Sequence, residues 1–488
     1  MTVYLVGAGP GDPGLMTVRA LELIATAEVI IHDRLIPAGA LAAARPEAEL
    51  IDVGKRGGAE SADQSDINRL LVEHGADRTV VRLKGGDPFL FGRGGEEAEA
   101  LAQAGIPFEV IPGVTAGIAA PAYAGIPVTH RDLASAVAFI TGHEDPAKPQ
   151  SALDWDALAA FPGTLVIYMG VARLGSIAER LMAAGRDPAE PAAVIERGTL
   201  PEQRVLEGSL STLSELGARA PAIVLVGPVA GVREVAAWVE RRALAGVSVA
   251  VTRAREQASE LAARLRTMGA GVVEAPAIRI VPRRFELPNL SGYDLVCFTS
   301  PNGVKILFDE LAATGGDARA LAGVTVAAIG PGTESALQAR GVLADVVPDR
   351  FVAEGLVEAL AGRPVGRVLL ARAARAREVL PDALRERGAE VDILALYDTE
   401  AERLSPDQLG RLSQADYVTF TSSSTVSFLL GALGDGSALK RARLVSIGPV
   451  TSQALRDHGL EPQVEAPRHD IDGLVTAVVE DVVTRRGA

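Results

Sequence analysis

Short apolar segments that each end in a glycine-rich turn recur through the first 120 residues of the chain. Residues 3–7 (VYLVG) precede the turn GAGPGDPG, and residues 79–83 precede Gly85, Gly86 and Asp87 within VRLKGGDPFLFGRGGEE. A helix is predicted after each turn. Continuous apolar strands that alternate with helices are typical of a parallel sheet buried on both faces. The sequence therefore predicts a parallel α/β domain over residues 1–120.

The predicted strand ends of this domain carry more glycine and charge than a sheet connection needs. They contain GPGD, then HDR with Asp33, then GKRGG with Lys55, and then KGGDP with Asp87. Because the carboxyl ends of parallel strands meet at one edge of the sheet, we expect these groups to face one ligand. Pro10 lacks the backbone N–H that a pyrophosphate would use, which disfavours a nucleotide phosphate. Taken alone, Asp33 would equally fit a loop or helix-cap carboxylate.

A different pattern begins near residue 128 and predicts a mixed-sheet subdomain over residues 121–243. The predicted elements are antiparallel strands over 129–143, a helix over 151–160, a strand over 165–170, two strands around 197–199, a strand over 221–227 and a helix over 232–244. Such a subdomain would cover the ligand edge of the first sheet and close a cleft.

The second half of the chain contains an internal duplication. Residues 247–280 have a counterpart in 367–399, residues 293–308 in 415–430, and residues 324–337 in 442–455. A repeat of about 120 residues predicts two similar α/β lobes and not a solenoid. In both copies a strand ends in Thr-Ser ahead of a helix, which would offer hydroxyls and free amides to a carboxylate at Thr299, Ser300, Thr421 and Ser422. The same residues would equally fit plain helix N-caps.

Composition excludes some classes of partner. The chain has 48 Lys and Arg against 62 Asp and Glu, a net charge of −14, and only 4% aromatic residues, so nucleic acid and anionic membranes are disfavoured. No apolar run reaches the length of about 20 residues that spans a bilayer. Cys297 is the one cysteine and lies in an apolar run, so we expect a buried, inert thiol and no disulfide. His130 and His143 have no partners at metal-ligand spacing, so we expect polar pocket or hydrogen-bonding residues there and no metal. The N-terminus has no signal peptide pattern, and we expect a cytoplasmic protein.

Residues 1–243 resemble the uroporphyrinogen-III C-methyltransferases of the tetrapyrrole methylase family. The resemblance rests on GAGPGDPGLMTVRA, HDRL, VGKRGG, VRLKGGDPFLFGRGGEE, IPGVTAG and YMG, in this order. Residues 247–488 resemble uroporphyrinogen-III synthase in VTRAREQASELAARL, FTSPNGV, two Ile-Gly-Pro-x-Thr turns and ALYDT. The two resemblances cover nearly the whole chain. They imply a tetrapyrrole methylase fold with subdomains 1–120 and 121–243, followed by a two-lobed α/β synthase fold, with lobe one at 247–282 plus 402–488 and lobe two at 283–401.

The resemblance also implies an activity. The synthase half would cyclise hydroxymethylbilane to uroporphyrinogen III, and the methylase half would methylate that product twice to precorrin-2. S-adenosyl-L-methionine would be the methyl donor and S-adenosyl-L-homocysteine the second product. Nothing resembles the dehydrogenase and ferrochelatase module of other fusions, so the chain should stop at precorrin-2, whether that serves sirohaem, cobalamin or haem. The family further implies a homodimer through the methylase half.

Site residues follow from the family motifs by position. Asp33 matches the proposed proton acceptor and Lys55 the proposed proton donor, although Lys55 would equally bind a substrate carboxylate. Tyr397 is the candidate proton donor of the synthase half, with Thr299, Ser300, Thr421 and Ser422 as carboxylate-binding residues. The residues expected to line the cofactor cleft are Pro10, Gly85, Gly86, Asp87, Leu90, Thr115, Ala116, Met169 and Gly198, with Ala222 near the adenine.

Two rival hypotheses remain at this stage. The methylase half could act on a later corrinoid, a translation factor or ribosomal RNA, as relatives of this family do. The C-terminal half could be a non-catalytic tetrapyrrole-binding module, because no charged residue matches a required catalyst there. A methyl-transfer screen and a cyclisation assay would separate these alternatives.

Overall fold

The computed structural model describes residues 1–37, 39–54, 63–143, 152–253, 255–434 and 436–487, and only the backbone of residues 255–259. The chain divides into two compact units, Met1–Gly246 and Val247–Ala488.

The first sheet of the first unit is entirely parallel. Its strands are β1 (Val3–Gly7), β2 (Val29–His32), β3 (Glu49–Asp52), β4 (Val80–Lys84) and β5 (Phe108–Ile111). The helices of this region are α1 (Val18–Thr26), α2 (Gln64–Gly75), α3 (Gly94–Gln103) and α4 (Ala116–Tyr123). The strand order is β3-β2-β4-β1-β5, and every pairing is parallel. The predicted parallel α/β class is confirmed.

Alternating side chains of this sheet form two separate cores. Val3 and Leu5 pack with Leu71 of α2, while Val6 packs on the other face with Ile24 of α1. This is the pattern expected of strands that are covered by helices on both sides. Helix α1 begins three residues later than the predicted start at residue 15, because the Thr17 side chain caps it by accepting the Ala20 N–H at 3.1 Å.

The second sheet of the first unit is mixed, as predicted. Its strands are β6 (Val137–Thr141), β7 (Thr164–Tyr168), β8 (Pro191–Glu196), β9 (Arg204–Ser209) and β10 (Ala222–Val226). The helices are α5 (Trp155–Ala159), α6 (Leu174–Ala183) and α7 (Arg233–Ala236). The order is β6-β7-β10-β8-β9, with β6 parallel to β7 and the remaining pairs antiparallel.

Two predicted elements of this subdomain are wrong. The antiparallel strands expected over residues 129–143 are one isolated bridge, His130 to Ala134, and the strand β6, which pairs in parallel with β7. The helix expected over 232–244 ends at Ala236, because the Trp238 indole N–H donates to the Ala122 carbonyl at 2.8 Å and its ring packs edge-on against Tyr123. Tertiary contacts thus override the helical periodicity.

The second unit has two five-stranded sheets. Its strands are β11 (Ser248–Val251), β12 (Gly271–Glu274), β13 (Ile278–Pro282), β14 (Leu295–Phe298), β15 (Thr325–Ala328), β16 (Arg367–Ala373), β17 (Glu390–Ala401), β18 (Tyr417–Phe420), β19 (Arg443–Ser446) and β20 (Val464–Glu465). Its helices are α8 (Arg255–Thr267), α9 (Pro301–Ala313), α10 (Pro331–Gln338), α11 (Ala353–Ala359), α12 (Val379–Glu386), α13 (Pro406–Leu412), α14 (Ser423–Leu433), α15 (Pro449–Asp457) and α16 (Ile471–Gly487).

One sheet has the order β12-β11-β18-β19-β20 and is parallel throughout. The other has the order β13-β17-β16-β14-β15, in which only β13 is antiparallel to its neighbour. Strand β13 therefore lies in the sheet of the second lobe, although the predicted boundary at residue 282 placed it in the first.

The sequence duplication is also a structural one. Strand β14 leads into α9 through Ser300, and β18 leads into α14 through Ser422. Strands β15 and β19 likewise lead through Gly330 and Gly448 into helices that begin with proline. Cys297 is fully buried in β14, which confirms the predicted burial, and burial raises its thiol pKa to about 12.

Candidate functional site

Three glycine loops meet at the carboxyl edge of the first sheet. Gly9 and Gly86 form a backbone bridge between the loops that follow β1 and β4. A Cβ on Gly113 would lie 2.3 Å from the Gly86 carbonyl oxygen, and a Cβ on Gly7 would lie 2.6 Å from the Gly113 nitrogen. Only glycine permits this approach of three backbones, which together form a cradle without side chains.

Asp87 joins two of these loops. Its Oδ1 accepts the Phe89 N–H at 2.8 Å, and its Oδ2 accepts the Gly113 N–H at 3.0 Å. The sequence predicted that this carboxylate faces a ligand, and the structure shows that both of its oxygens also accept from backbone N–H groups. Each oxygen has a second lone pair, so Asp87 can still accept from a ligand.

The start of α4 is joined to the second sheet by Tyr168. The Tyr168 hydroxyl lies 2.6 Å from Thr115 Oγ1 and accepts the Gly117 N–H at 2.6 Å. Its ring centre lies 5.0 Å from that of Phe91. Burial raises the pKa of Tyr168, against the opposing effect of its two hydrogen bonds. Sequence reasoning missed Tyr168, although it ends a buried strand directly before Met169.

Backbone strain is concentrated in the loops that carry predicted cofactor residues. Among the described residues, the non-glycine positions with positive φ have angles between 47° and 71° and are Phe91, Arg93, Met169, Arg197 and Thr199. They fall in the three loops around Leu90, Met169 and Gly198. Such conformations cost on the order of 1–3 kcal/mol each and collect at ligand-binding sites. Met169 is 50% exposed, which is unusual for a methionine and leaves its side chain available to a ligand.

The turn around Gly198 packs against the first subdomain. The Asp12 N–H donates to Thr199 Oγ1 at 3.1 Å, and Asp12 Oδ2 accepts from the Tyr123 hydroxyl at 2.6 Å. A Cβ on Gly198 would lie 2.2 Å from the Ala120 Cβ, so this position also requires glycine. The loop of Pro10, helix α4 and the turn of Gly198 therefore lie side by side.

Ala222 stands apart from this group. Its side chain packs with Leu165 and Val224, whereas Tyr168 and Ala120 pack on the other face of the same sheet. The backbone next to Ala222 does lie near the turn of Gly198, because the Arg197 N–H donates to the Pro221 carbonyl at 2.9 Å.

Asp33 is the exposed end of a buried chain of charges. Its Oδ1 accepts from Arg82 Nη2 at 2.6 Å, and Arg82 Nε donates to Glu97 Oε1 at 3.0 Å. Lys84 Nζ donates to the same Glu97 oxygen at 2.8 Å. The Asp33 side chain is 33% exposed, whereas those of Arg82, Lys84 and Glu97 are at most 4% exposed. Burial lowers the pKa of Lys84, and the charge of Arg82 lowers it further, against Glu97 and Asp33.

This network was not predicted, although the sequence contains a signal for it. Arg82 and Lys84 interrupt the otherwise apolar strand β4, and ionised groups in a strand buried on both faces require partners. Lys55, the other predicted catalytic residue of this edge, lies outside the described residues. Gly54 just before it packs against Arg34, with a Cβ position 2.7 Å from the Arg34 nitrogen.

Four of the five predicted residues of the second unit line one cavity of about 410 Å³. Thr299 and Tyr397 line it from one sheet, and Thr421 and Ser422 line it from the other. Ser300 adjoins the cavity through Tyr397, with the two hydroxyl oxygens 2.7 Å apart. Burial raises the pKa of Tyr397, although hydrogen bonds to Ser300 and Asn302 act in the opposite direction.

The two serines also cap helices. Ser300 Oγ accepts the Gly303 N–H at 3.1 Å, and Ser422 Oγ accepts the Thr425 N–H at 3.3 Å. The helix-cap interpretation is thus satisfied in the structure. It does not compete with carboxylate binding, since a hydroxyl that accepts from an amide can donate its own proton to a ligand.

Comparison with known proteins accounts for both units. A family model described as Tetrapyrrole (Corrin/Porphyrin) Methylases matches residues 2–214, and one described as Uroporphyrinogen-III synthase HemD matches residues 259–476. The Porphyrin biosynthesis protein HemD of Ruminiclostridium josui is 37% identical over 98% of this chain and 97% of its own. The chain is a fused tetrapyrrole methylase and uroporphyrinogen-III synthase. We therefore call Met1–Gly246 the methylase unit and Val247–Ala488 the synthase unit of a bifunctional tetrapyrrole biosynthesis enzyme.

The methylase unit has further relatives. The S-adenosyl-L-methionine-dependent uroporphyrinogen III methyltransferase of Methanosarcina barkeri is 53% identical over 48% of this chain and 93% of its own. A crystal structure of uroporphyrin-III C-methyl transferase from Thermus thermophilus, complexed with S-adenyl homocysteine, is 42% identical over 47% of this chain and 93% of that one, with a TM-score of 0.41.

The described residues contain no helix that is both long and apolar enough to cross a membrane. In the same part of the chain, no group of three or more His, Cys, Asp or Glu side chains is arranged to hold a metal ion.

Proposed function

We propose that the synthase unit cyclises hydroxymethylbilane to uroporphyrinogen III and that the methylase unit converts this product to precorrin-2 by two methylations. The observation that carries the proposal is the presence of both families in one chain, because the synthase would make the substrate of the methylase. We further propose residues 1–243 and 247–488 as the two catalytic domains, acting in the cytoplasm.

S-adenosyl-methionine fits the glycine cradle of the methylase unit. Gly7 and Gly113 allow the three loops to pack together at the sheet edge, which brings the loops of Pro10, Gly86 and Thr115 to one place, and Met169 offers an exposed apolar contact. When bound, it supplies a methyl group activated on a sulfonium. We assign its binding to Pro10, Gly85, Gly86, Asp87, Leu90, Thr115, Ala116, Met169 and Gly198, and keep Ala222 as a backbone neighbour.

Within this cleft, Asp87 would accept from a ribose hydroxyl or the amino group through the lone pairs that its two backbone partners leave free. Tyr168 holds Thr115 in position and thereby fixes the start of α4. The protein aligns the methyl group with the pyrrole carbon, and orientation of this kind lowers the barrier without further chemistry.

Asp33 would then act on the substrate. Its carboxylate can stabilise cationic character in the alkylated ring and accept the proton whose loss completes the step. The buried Arg82 holds Oδ1 of this carboxylate, and the Asp33 side chain is 33% exposed and so remains accessible to a ligand. Lys55 would donate a proton or bind one of the substrate carboxylates, and its positive charge favours the second role.

An Asp33→Asn variant tests this role, with Asp52→Asn as the matched control. Asp52 ends the neighbouring strand β3 and is exposed. We expect the kcat of uroporphyrinogen III methylation to fall roughly 10²–10⁴-fold in Asp33→Asn, the usual range for a general base. The affinity for S-adenosyl-homocysteine should stay unchanged in both variants. Methylation within threefold of the wild type would refute the assignment.

In the synthase unit, Tyr397 would donate the proton that allows the substrate hydroxyl to leave, while Thr299, Ser300, Thr421 and Ser422 bind acetate and propionate arms. Confinement of the chain would contribute more than acid catalysis. We expect Tyr397→Phe to slow cyclisation up to about 10²-fold. Tyr293→Phe is the control, because this tyrosine donates to Asp392 at 2.8 Å and does not line the cavity. If the unaltered chain binds tetrapyrrole but fails to cyclise, the synthase unit is a binding module.

We also propose a homodimer formed through the methylase unit, as in its family. Light scattering on the full chain should then give about twice the chain mass of 50.6 kDa. A monomer mass at micromolar concentration would refute the dimer.

A further inference from the structure

The charged side chains that line the cavity of the synthase unit are basic. Among the described residues, this lining contains two arginines and one histidine, Arg372, Arg377 and His469, and no aspartate or glutamate. In the whole chain, acidic residues outnumber Lys and Arg by 62 to 48. A cavity without acidic side chains in an acidic protein is suited to an anionic ligand.

Arg372 is the buried member of this set. It lies in β16, one residue before Ala373, which pairs with Tyr397 in the neighbouring strand. Arg372 is 5% exposed. Its Nη1 donates to the Arg377 carbonyl at 3.1 Å and its Nη2 to Glu378 Oε1 at 2.6 Å. Its Nε is buried and has no partner among the described residues.

Within the described chain, the only carboxylate that contacts Arg372 belongs to a solvent-exposed side chain. The Glu378 side chain is 52% exposed, whereas that of Arg372 is 6% exposed. An arginine in this position has donors to spare, and a planar guanidinium binds a carboxylate through two parallel N–H bonds. The hydroxyls at the strand ends provide hydrogen bonds but no charge.

We propose that Arg372 binds a side-chain carboxylate of the tetrapyrrole substrate in this cavity, and that Glu378 occupies the guanidinium until the substrate replaces it. The inference rests on the proposed function of the synthase unit, since the ligand is hydroxymethylbilane with its acetate and propionate arms. Arg372 is thus a binding residue close to Tyr397.

The duplicated sequence retains an arginine at the equivalent position. Ser248 and Arg367 are equivalent, because each exchanges two hydrogen bonds with an aspartate, Asp416 or Asp294, and counting five residues on from each pairs Arg253, just after β11, with Arg372, near the end of β16. Burial lowers the pKa of Arg253. Arg253 is half-buried, so each lobe has an arginine of limited exposure near the end of a strand, as expected if carboxylates are bound from both sides.

Two substitutions in the full chain separate binding from a structural role. Arg372→Gln removes the cation, and Glu378→Gln removes the competing carboxylate. If the pair only stabilises the fold, both variants should behave alike. If Arg372 binds substrate, their effects on the KM for hydroxymethylbilane should have opposite signs. Loss of a charged hydrogen bond predicts a KM about 10- to 100-fold higher in Arg372→Gln with a smaller change in kcat, whereas Glu378→Gln should lower KM.

Arg387→Gln is the matched control. Arg387 lies in the same lobe, is half-buried and donates to the carbonyls of Leu360 and Arg363 without lining the cavity. The KM of Arg387→Gln for hydroxymethylbilane should equal that of the wild type. The KM of Arg372→Lys should lie between those of the wild type and Arg372→Gln. An unchanged KM in Arg372→Gln, or a rise of the same size in Glu378→Gln, would overturn the proposal.

Failure of the proposed function has a different signature. If the wild-type chain does not cyclise hydroxymethylbilane, calorimetric titration with uroporphyrin III counts its binding sites. The site of the synthase unit should then weaken in Arg372→Gln while the site of the methylase unit stays unchanged. Identical titrations of wild type and variant, including the absence of a second site in both, would overturn the role of Arg372.

Discussion

Replacement of Glu97 by glutamine should destabilise the methylase unit far more than a surface substitution does. Glu97 is fully buried and one of its oxygens accepts from both Arg82, at 3.0 Å, and Lys84, at 2.8 Å. Together with Asp33 these residues make two positive and two negative charges. Glutamine keeps the size of the side chain but removes one negative charge, which leaves a buried net positive charge.

The expected cost follows from the burial of these groups. Removal of one partner from a buried ion pair costs about 3–5 kcal/mol. For a unit of this size, each kcal/mol lowers the melting temperature by about 2–4 °C, so we expect a decrease of roughly 6–20 °C. Glu96→Gln is the matched control, since Glu96 is the adjacent residue, is 52% exposed and pairs with the exposed Arg93. Its substitution should cost less than about 1 kcal/mol.

The loss should also depend on pH through Lys84. Burial already holds the pKa of Lys84 below its ordinary value of 10.5, so its charged form destabilises the folded state. This penalty is fully present below the folded pKa and is relieved as pH rises towards 10.5. Without Glu97 the Lys84 pKa should fall further, and the cost of Glu97→Gln should therefore shrink at alkaline pH.

Tryptophan fluorescence can follow the methylase unit alone. The chain has two tryptophans, Trp155 and Trp238, and both lie before residue 247. Urea unfolding followed by this signal gives the free energy of unfolding of that unit for the wild type and both variants. Equal midpoints for Glu97→Gln and Glu96→Gln, or a cost below about 1 kcal/mol for Glu97→Gln, would refute the buried charge network.

Three further predictions use single substitutions or pH. Gly113→Ala should lower the free energy of unfolding by about 1–3 kcal/mol and weaken S-adenosyl-homocysteine binding, because its Cβ would lie 2.3 Å from a carbonyl oxygen. The control is Gly95→Ala at an exposed position of α3, which should raise the free energy of unfolding by about 0.5–1 kcal/mol. Equal effects of the two variants in urea unfolding would contradict this. Burial raises the pKa of Tyr397 above 10.0, so cyclisation should show no alkaline loss from this group below pH 10, and a loss that Tyr397→Phe abolishes would disprove it. The Thr79 backbone N–H, followed by nearby arginines, lowers the pKa of Glu28 below 4.5, so its stabilisation is present above pH 4.5 and is lost as pH falls through the lower value. The difference in urea midpoint between wild type and Glu28→Gln should persist at pH 6 and shrink as pH falls below 4.5, and a difference independent of pH would contradict this.

The polar residues at the strand ends could be predicted from the sequence, because their positions depend on the order of strands and turns along the chain. Apolar strands followed by glycines specify a parallel sheet, and a parallel sheet brings Asp33 and Asp87 to one edge. The duplication similarly indicated that Thr299 and Thr421 face one ligand, and both line one cavity; Tyr397 came from the family resemblance. In each case the residue types and the topology suffice, without knowledge of side-chain packing.

The missed features depend on contacts between distant residues. Glu97 reaches Arg82 across 15 positions, and Tyr168 reaches Thr115 across 53. The helix predicted over 232–244 failed for the same reason, since Trp238 bonds to Ala122 across 116 positions. Hydrophobic periodicity indicates which face of a helix or strand is buried, but it does not identify the residues that pack against that face. Contacts between distant residues therefore have to be observed in the folded structure.

A coupled assay tests the central claim most directly. The purified full chain is given hydroxymethylbilane and S-adenosyl-methionine, and precorrin-2 absorbance is followed without any added synthase. We expect precorrin-2 from the wild type, and uroporphyrinogen III without methylation from Asp33→Asn. If precorrin-2 forms only when uroporphyrinogen III is supplied, the synthase assignment is wrong and the second unit binds tetrapyrrole without catalysis.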